Sequence, residues 1–461
     1  MKLMFKKKMV KIAGSTAIKN FTSGFIIFCV FLFNSPQLIS ATEGVVEDTL
    51  RRDSVKVVRF ESKKSPIQRV LALPRDVWTL AYYPLGKFVI WGERVRVDQR
   101  VLNFLLTEDR TAGVLPLATV GGNTGISIGA VLFDNDILSK DISLSGYGIF
   151  GSRANFTVAS SIVVPVLGEG NKLSFSSKVW KDNEEFIYGG ENGNSSLVDD
   201  SLAYGIRDSY VNAELFINWK KPSGRFLLTN YQRERKRGRE NHFSTILFVK
   251  FSEVTIDVGE ADYKTVPDSI LGFGKTNLFE TGLVLSIDTR NHEFNPRTGG
   301  LLRLTGMFSD QTDGDFFQFY RYTIEFQRYV ELFKRHRVLG FRLILDETHT
   351  PDNKSIPFYR MSILGSHKTL RGYREGRFRD FGSILLNFDY RYPIWDTFEG
   401  VIFIDTGQVF RNFGDMSLSS FHTGYGVGTR FRTPTGFLAR FQAGFSKEGS
   451  RVLLQFTQIF N

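Results

Sequence analysis

The side chains with the most pronounced chemistry in this chain of 461 residues are bases, and they are crowded. Residues 365–380 read GSHKTLRGYREGRFRD, with Lys368, Arg371, Arg374, Arg377 and Arg379 set against Glu375 and Asp380. A guanidinium stays charged at any physiological pH and presents a planar fork that fits a carboxylate bidentately. The chemistry on offer is therefore anchoring by ion pairs. Catalytic or metal-binding patterns are absent. The six histidines at 242, 292, 336, 349, 367 and 422 form no pair at metal-ligand spacing on one face. No Ser-His-Asp pattern falls on one face, and the glycines of GYGVGTR (424–430) precede no helix, which excludes a dinucleotide fingerprint. Cys29 is the only cysteine. No enzyme activity, metal or cofactor is expected, and ENGNSSLVDD (191–200) reads as a flexible acidic loop.

What must position the bases is a set of strands. Aromatics make up 14% of the chain, 44 of them Phe, yet no stretch after residue 40 is apolar for the roughly 18 residues that a membrane helix needs. The rings recur with period two. In FYRYTIEFQ (319–327), Tyr320, Tyr322, Ile324 and Phe326 share one face, with Arg321, Thr323, Glu325 and Gln327 on the other. LLNFDYRY (385–392) and GFLARFQAGF (436–445) repeat the pattern. Aromatics on one face, with charge and glycine on the other, is how a membrane barrel reads outside and inside. Unpaired backbone is not tolerated in lipid, so such strands must close.

The first 41 residues carry six lysines and no acid, then the apolar run FIIFCVFLF (25–33) and a small residue at Ala41, the layout of an export signal. Its removal lowers the formal charge from +11 to about +5, too little to argue for nucleic acid. Residues 42–111 have irregular apolar spacing and predict short helices. The remainder, 112–461, predicts an all-β, sixteen-stranded transmembrane barrel. Two segments compete for the seventh strand. RFLLTNYQR (225–233) is taken as the strand, and FSTILFVKFSEVTIDV (243–258) is assigned to a long loop to keep the count even. RERKRGRE (233–240) then tops that strand on the outside, where it would meet anionic lipopolysaccharide. Short connections follow even strands and long ones follow odd strands, which puts 349–380 in an external loop between the eleventh and twelfth strands. By alternation Asp405 faces inward, with Ile402, Ile404 and Thr406 outward, and Asp389 faces inward too.

Four motifs in order then carry a resemblance: the turn SIDTRNHEFNPRTGG with Asp288, Arg290, Pro296 and Gly299; LRGY with Arg371, Gly372 and Tyr373; the strand GVIFIDTGQVF with Asp405 and Gly407; and the glycine-laden hairpin 424–444. Together they resemble the Omp85 superfamily, the bacterial surface antigen (D15) barrel of the outer membrane. The resemblance covers about 112–461. It implies that loop 349–380 folds into the lumen, where Arg371 contacts Asp405. It also implies a bacterial outer-membrane location and a role in inserting or translocating outer-membrane proteins, with lipids and other outer-membrane proteins as partners. A passive or gated pore, or an accessory barrel of a larger complex, is the alternative. Family members carry POTRA modules of roughly 75 residues ahead of the barrel. Only 69 residues lie between Ala41 and residue 111, so no POTRA module is expected. Arg374, Arg377 and Arg379 are left with only Glu375 and Asp380 as candidate partners.

Overall fold

The computed structural model describes residues 105, 107, 111–120, 126–137, 141–166, 170–188, 201–219, 242–257, 270–293, 295–332, 337–395, 398–432 and 438–455. The expected signal (1–41), nearly all of the expected helical extension (42–111), the segment 225–233 and the basic run 233–240 lie outside these residues.

The chain runs as an antiparallel meander in which each strand pairs with its neighbours in sequence. It opens with β1 (Ala112–Val120), β2 (Ile126–Ile137), β3 (Ile142–Gly151), β4 (Phe156–Pro165), β5 (Lys172–Tyr188) and β6 (Ser201–Asn218). It continues through β7 (His242–Asp257), β8 (Gly274–Asp288), β9 (Gly299–Gln311), β10 (Gln318–Leu332) and β11 (Arg337–His349). Two short strands, β12 (Ser362–Leu364) and β13 (Phe378–Asp380), pair only with each other inside the connection that follows. The main sheet resumes with β14 (Gly382–Trp395), β15 (Phe398–Phe410), β16 (His422–Arg432), β17 (Leu438–Ser446) and β18 (Gly449–Gln455). Sixteen strands belong to the sheet among the described residues, and the last returns to the first at one registered pair, Val120↔Leu454. By contrast, β1 pairs with β2 from Ala112↔Asp134 to Val120↔Ile126.

The segment 243–258 is a strand, not a loop excursion: β7 is registered against β6 from Gly205↔Asp257 and against β8 up to His242↔Asp288. Its alternation was real. Phe243, Leu247, Val249 and Phe251 face outward while Ser252, Val254 and Ile256 are buried. Sixteen strands, an even number, are reached among the described residues with this segment as one of them. Trp219 and His242, which flank the β6–β7 connection, stand at the opposite end of the sheet from loop 350–381.

Alternation sorts the two faces as expected for the motifs. Tyr322 is 56% exposed and Ile404 50%, whereas Gln327 and Asn387 are fully buried. One outward row runs in register across five strands: Phe341, Phe388, Ile404, Tyr425 and Phe445. The rings of Phe341 and Phe388 sit 5.0 Å apart. Hydroxyls on this apolar face satisfy one another, as in the Thr406–Thr423 and Ser160–Ser177 pairs at 2.9 Å. No helix among the described residues is long and apolar enough to cross a membrane; the strands carry the apolar face.

Candidate functional site

The inward face of β11, β14, β15 and β16 carries a registered row of unlike residues: Arg342, Asn387, Asp405 and Gly424. The backbone of loop 350–381 lies across this row, perpendicular to the strands, and each wall residue meets the next loop residue. Arg342 Nη1 donates to the Lys368 carbonyl at 3.2 Å. Asn387 Nδ2 donates to the Thr369 carbonyl at 2.9 Å. The Arg371 amide donates to Asp405 Oδ2 at 3.1 Å. Gly424 lies against the Gly372 nitrogen, and Ser446 Oγ of β17 donates to the Gly372 carbonyl at 2.9 Å. Buried backbone polar groups must find partners, and here the strand wall supplies them in place of a ladder.

Arg371 is the centre of this contact and is fully buried. Its Nε and Nη2 donate to the two oxygens of Asp405, each at 2.7 Å, and Nη2 also donates to Asp389 at 2.7 Å. Asn387 Nδ2 donates to Asp405 Oδ1 at 2.7 Å. The guanidinium carbon lies 3.6 Å from the centre of the Phe403 ring. A permanently charged cation taken out of water needs such a set of partners. Burial lowers the Arg371 pKa, but Asp389 and Asp405 outweigh it and hold it above the ordinary value.

Glycines make the approach possible. A Cβ on Gly372 would stand 2.5 Å from the Phe445 carbonyl oxygen, and one on Gly444 would stand 2.6 Å from the Arg371 carbonyl oxygen. A Cβ on Gly407 would press on Leu364 at 3.1 Å and on the Ile384 carbonyl oxygen at 2.6 Å. Tyr373 is buried beside Phe378 and His422, its hydroxyl donating to the Thr423 carbonyl at 3.4 Å. His422 stacks on Phe378 at 3.8 Å. Burial, then Glu448, pushes the Tyr373 phenol up to about 12. Leu364, Leu370, Tyr373 and Phe378 pack on Leu385 and Val409 of the wall.

The Asp288–Arg290 pair serves the other end. Arg290 forks onto its neighbour's carboxylate at 3.0 and 2.8 Å and reaches Gln327 at 3.5 Å. Gly299 at φ +87 lets the chain turn so tightly that a Cβ would meet the Thr289 carbonyl oxygen. The turn folds inward onto β14 and β16: Arg391 donates to Asn295 Oδ1 at 3.1 Å and to the Pro296 carbonyl, and Arg430 reaches the same Asn295 oxygen at 3.3 Å. Asp389 and Arg391, two residues apart on β14, thus face one side and hold the loop and the turn respectively.

Arg360, Arg377 and Arg379 have partners that alternation alone could not supply. Arg360 reaches the far wall, contacting Asp208 of β6 at 3.0 Å, Ser252 of β7 at 3.1 Å and Glu280 of β8 at 3.3 Å. Burial lowers its pKa, but Glu280 and Asp208 outweigh it and keep it raised. Arg377 pairs with both oxygens of Glu448, in the β17–β18 turn, at 3.0 and 2.9 Å and lies over Tyr188 of β5. Arg379 donates to the Phe358 carbonyl at 3.0 Å and to the Tyr204 hydroxyl at 3.3 Å. A second apolar cluster packs Phe358 and Tyr359 on Ile206, Val254, Ile256 and Leu278. No group of metal-binding side chains occurs among the described residues. His367 belongs to the loop.

Known proteins share this fold. The Omp85 superfamily domain matches residues 151–456. The structure of BamA from Haemophilus ducreyi lacking POTRA domains 1–3 superposes with a TM-score of 0.52 at 16% identity, over 75% of this chain and 69% of that one. CdiB from Escherichia coli superposes at 0.50 with 12% identity, over 74% and 61%. At these identities the likeness is one of fold. No curated protein matches in sequence.

Proposed function

The chain belongs to the Omp85 superfamily, and on that footing we propose that it forms a closed, sixteen-stranded barrel in a bacterial outer membrane and acts there in the insertion or translocation of other polypeptide chains. The observation that carries this reading is the buried fork of Arg371 on Asp405 and Asp389. It fixes a loop of about thirty residues inside the sheet, so the interior is braced from within while the outer face meets lipid. From Trp219 to Arg207 along β6 is about 30 Å once a strand tilt near 40° is allowed for, the height of an apolar bilayer band. A brace on one wall, together with a first and last strand joined by one registered pair among the described residues, suits a barrel whose wall parts at β1 to pass a chain sideways. Depleting the protein should lower the level of other barrels in the outer membrane. Unchanged levels, with the protein gone, sink the reading.

A conductive pore is the second reading. It is supported by the inner wall of β2–β4, where no described residue contacts loop 350–381 through a hydrogen bond or ion pair. Steady conductance in planar bilayers, without any effect of depletion on other barrels, favours it.

A further inference from the structure

We propose that the outward face of β4–β8 holds one anionic phosphorylated membrane lipid, its phosphate on Lys181 and Arg207 with Lys275 beside them, and an acyl chain in the depression over Ser160 and Ser177. The inference rests on the reading of the sheet as a membrane barrel and adds a site to its surface.

Two observations meet here. The first is charge. Lys181, Arg207, Thr255 and Lys275 lie side by side in one registered row across β5, β6, β7 and β8. They sit on the outward parity of their strands, with Arg207 and Lys275 exposed. Lys181 and Arg207 are direct cross-strand neighbours. Like charges in that relation, with Cβ atoms roughly 5 Å apart, destabilise a sheet unless an anion lies between them. Glu253 and Asp257 are the acids of the same corner. Glu253 is paired with Lys275 at 2.7 Å, and neither Lys181 nor Arg207 has an ion pair with a described residue. The row stands where the apolar outward residues end, at the same end of the sheet as loop 350–381, which is where a headgroup would lie.

The second observation is shape. About 13 Å down β5 from Lys181, the outward side chains shrink to Gly146, Ser160 and Ser177, which are registered neighbours on β3, β4 and β5. The Ser160 and Ser177 hydroxyls bond each other at 2.9 Å, which lowers the polarity the floor presents to hydrocarbon. Leu144, Ile162, Phe175, Val211 and Phe251 rise around it and enclose a depression of about 460 Å³. An apolar trough ending under a basic pair fits a chain and a phosphate of one molecule. Each basic residue near an anionic headgroup adds about fivefold to affinity.

The test is native mass spectrometry of the full chain in detergent, titrated with phosphatidylglycerol, phosphatidylcholine and free glycerol phosphate. Wild type should keep one phosphatidylglycerol at least tenfold more tightly than phosphatidylcholine. Lys181→Gln with Arg207→Gln should lose that preference while heat-modifiable gel mobility stays as in wild type. Ser160→Phe with Ser177→Phe should weaken both lipids alike. Wild-type lipid selectivity in the Gln variant overturns the site, and so does free glycerol phosphate binding as tightly as the lipid. A chain that stays soluble without detergent and takes no lipid from vesicles overturns the membrane reading and the site with it. A chain that inserts, but whose variants bind as wild type, overturns the site alone.

Discussion

The walls formed by β14–β17 and by β2–β4 have the same backbone and opposite interiors. On β14–β17 the inward residues include Asn387, Asp389, Arg391, Glu399, Asp405, Arg430, Arg440 and Gln442, all buried, with glycines at 424, 426, 428 and 444 between them. On β2–β4 the inward positions are Ser127, Gly129, Val131 and Phe133, then Ser143, Ser145, Tyr147 and Ile149, then Thr157, Ala159, Ser161 and Val163, with no charge among them. Charge and glycine together make a wall that can grip a crossing backbone: the glycine lets it come close, and the charged side chain then satisfies its polar groups. A wall of small neutral residues offers no such purchase. Among the described residues the junction of β18 with β1 is one registered pair, Val120↔Leu454, and it borders β2–β4 through β1. The loop is tied on the other side of that junction, through Ser446 of β17 and Glu448 of the β17–β18 turn.

The sharpest way to break this contrast is to remove the grip. Arg371→Ala leaves Asp405 and Asp389 buried around an absent cation, which should cost about 3–5 kcal/mol of the docked state. The loop should become open to protease and the barrel should unfold at lower temperature in semi-native gels. Asp405→Asn should follow in the same direction, and Arg371→Lys should not rescue, since an ammonium cannot fork onto one carboxylate while touching another. Heat and protease resistance equal to wild type in these variants would mean that the wall does not hold the loop.

Gly444→Val probes the other half of the device. Its Cβ would lie 2.6 Å from the Arg371 carbonyl oxygen, and backbone must move to relieve it. A loss of about 1–3 kcal/mol is expected, read as a lower denaturant midpoint, whereas Ala159→Val on the opposing wall should change little. If both valines behave alike, the two walls are not different in kind.

Arg360→Ala should cost less, about 2 kcal/mol, because Glu280 keeps Lys250 at 2.5 Å. The double variant with Arg371→Ala tests whether the loop is held at two independent points. Costs that add within about 0.5 kcal/mol support two anchors, and strong coupling shows that the loop docks as one piece.

Much of the gripping wall was legible in the chain. Period two in 385–392 and 400–410 set Asp389 and Asp405 on one face, and LRGY named the arginine that meets them. The far anchor was not. Arg360 and Asp208 are 152 positions apart, and only the register of β6, β7 and β8 brings Asp208, Ser252 and Glu280 under one guanidinium. The same limit hid Glu448 from Arg377, since a turn of two residues between β17 and β18 carries no pattern of its own. Strand β7 shows a different limit. Its alternation was as clear as any, and what misplaced it was a constraint on the total count imposed from outside the segment. Local periodicity says that a stretch is a strand; which strand it pairs with is a property of the whole sheet.

The smallest expected effect concerns acid. His367 lies in the gripped segment, and burial, then Lys368 and Arg440, lowers its pKa to about 4. An unfolded or undocked His367 titrates near 6.5. Between those values the free segment binds a proton that the docked one does not, so docking weakens as pH falls from 6.5 toward 4 and is unaffected above 6.5. Glu375 opposes this, because burial raises its pKa and its docked form takes up a proton more readily than the free one. The comparison must therefore be made between His367→Asn and wild type, which cancels the Glu375 contribution. The variant should hold its loop against protease at pH 5 better than wild type does, and equally at pH 7.5. A wild-type advantage at pH 5 would mean that the docked histidine is charged, and that Lys368 and Arg440 do not face it.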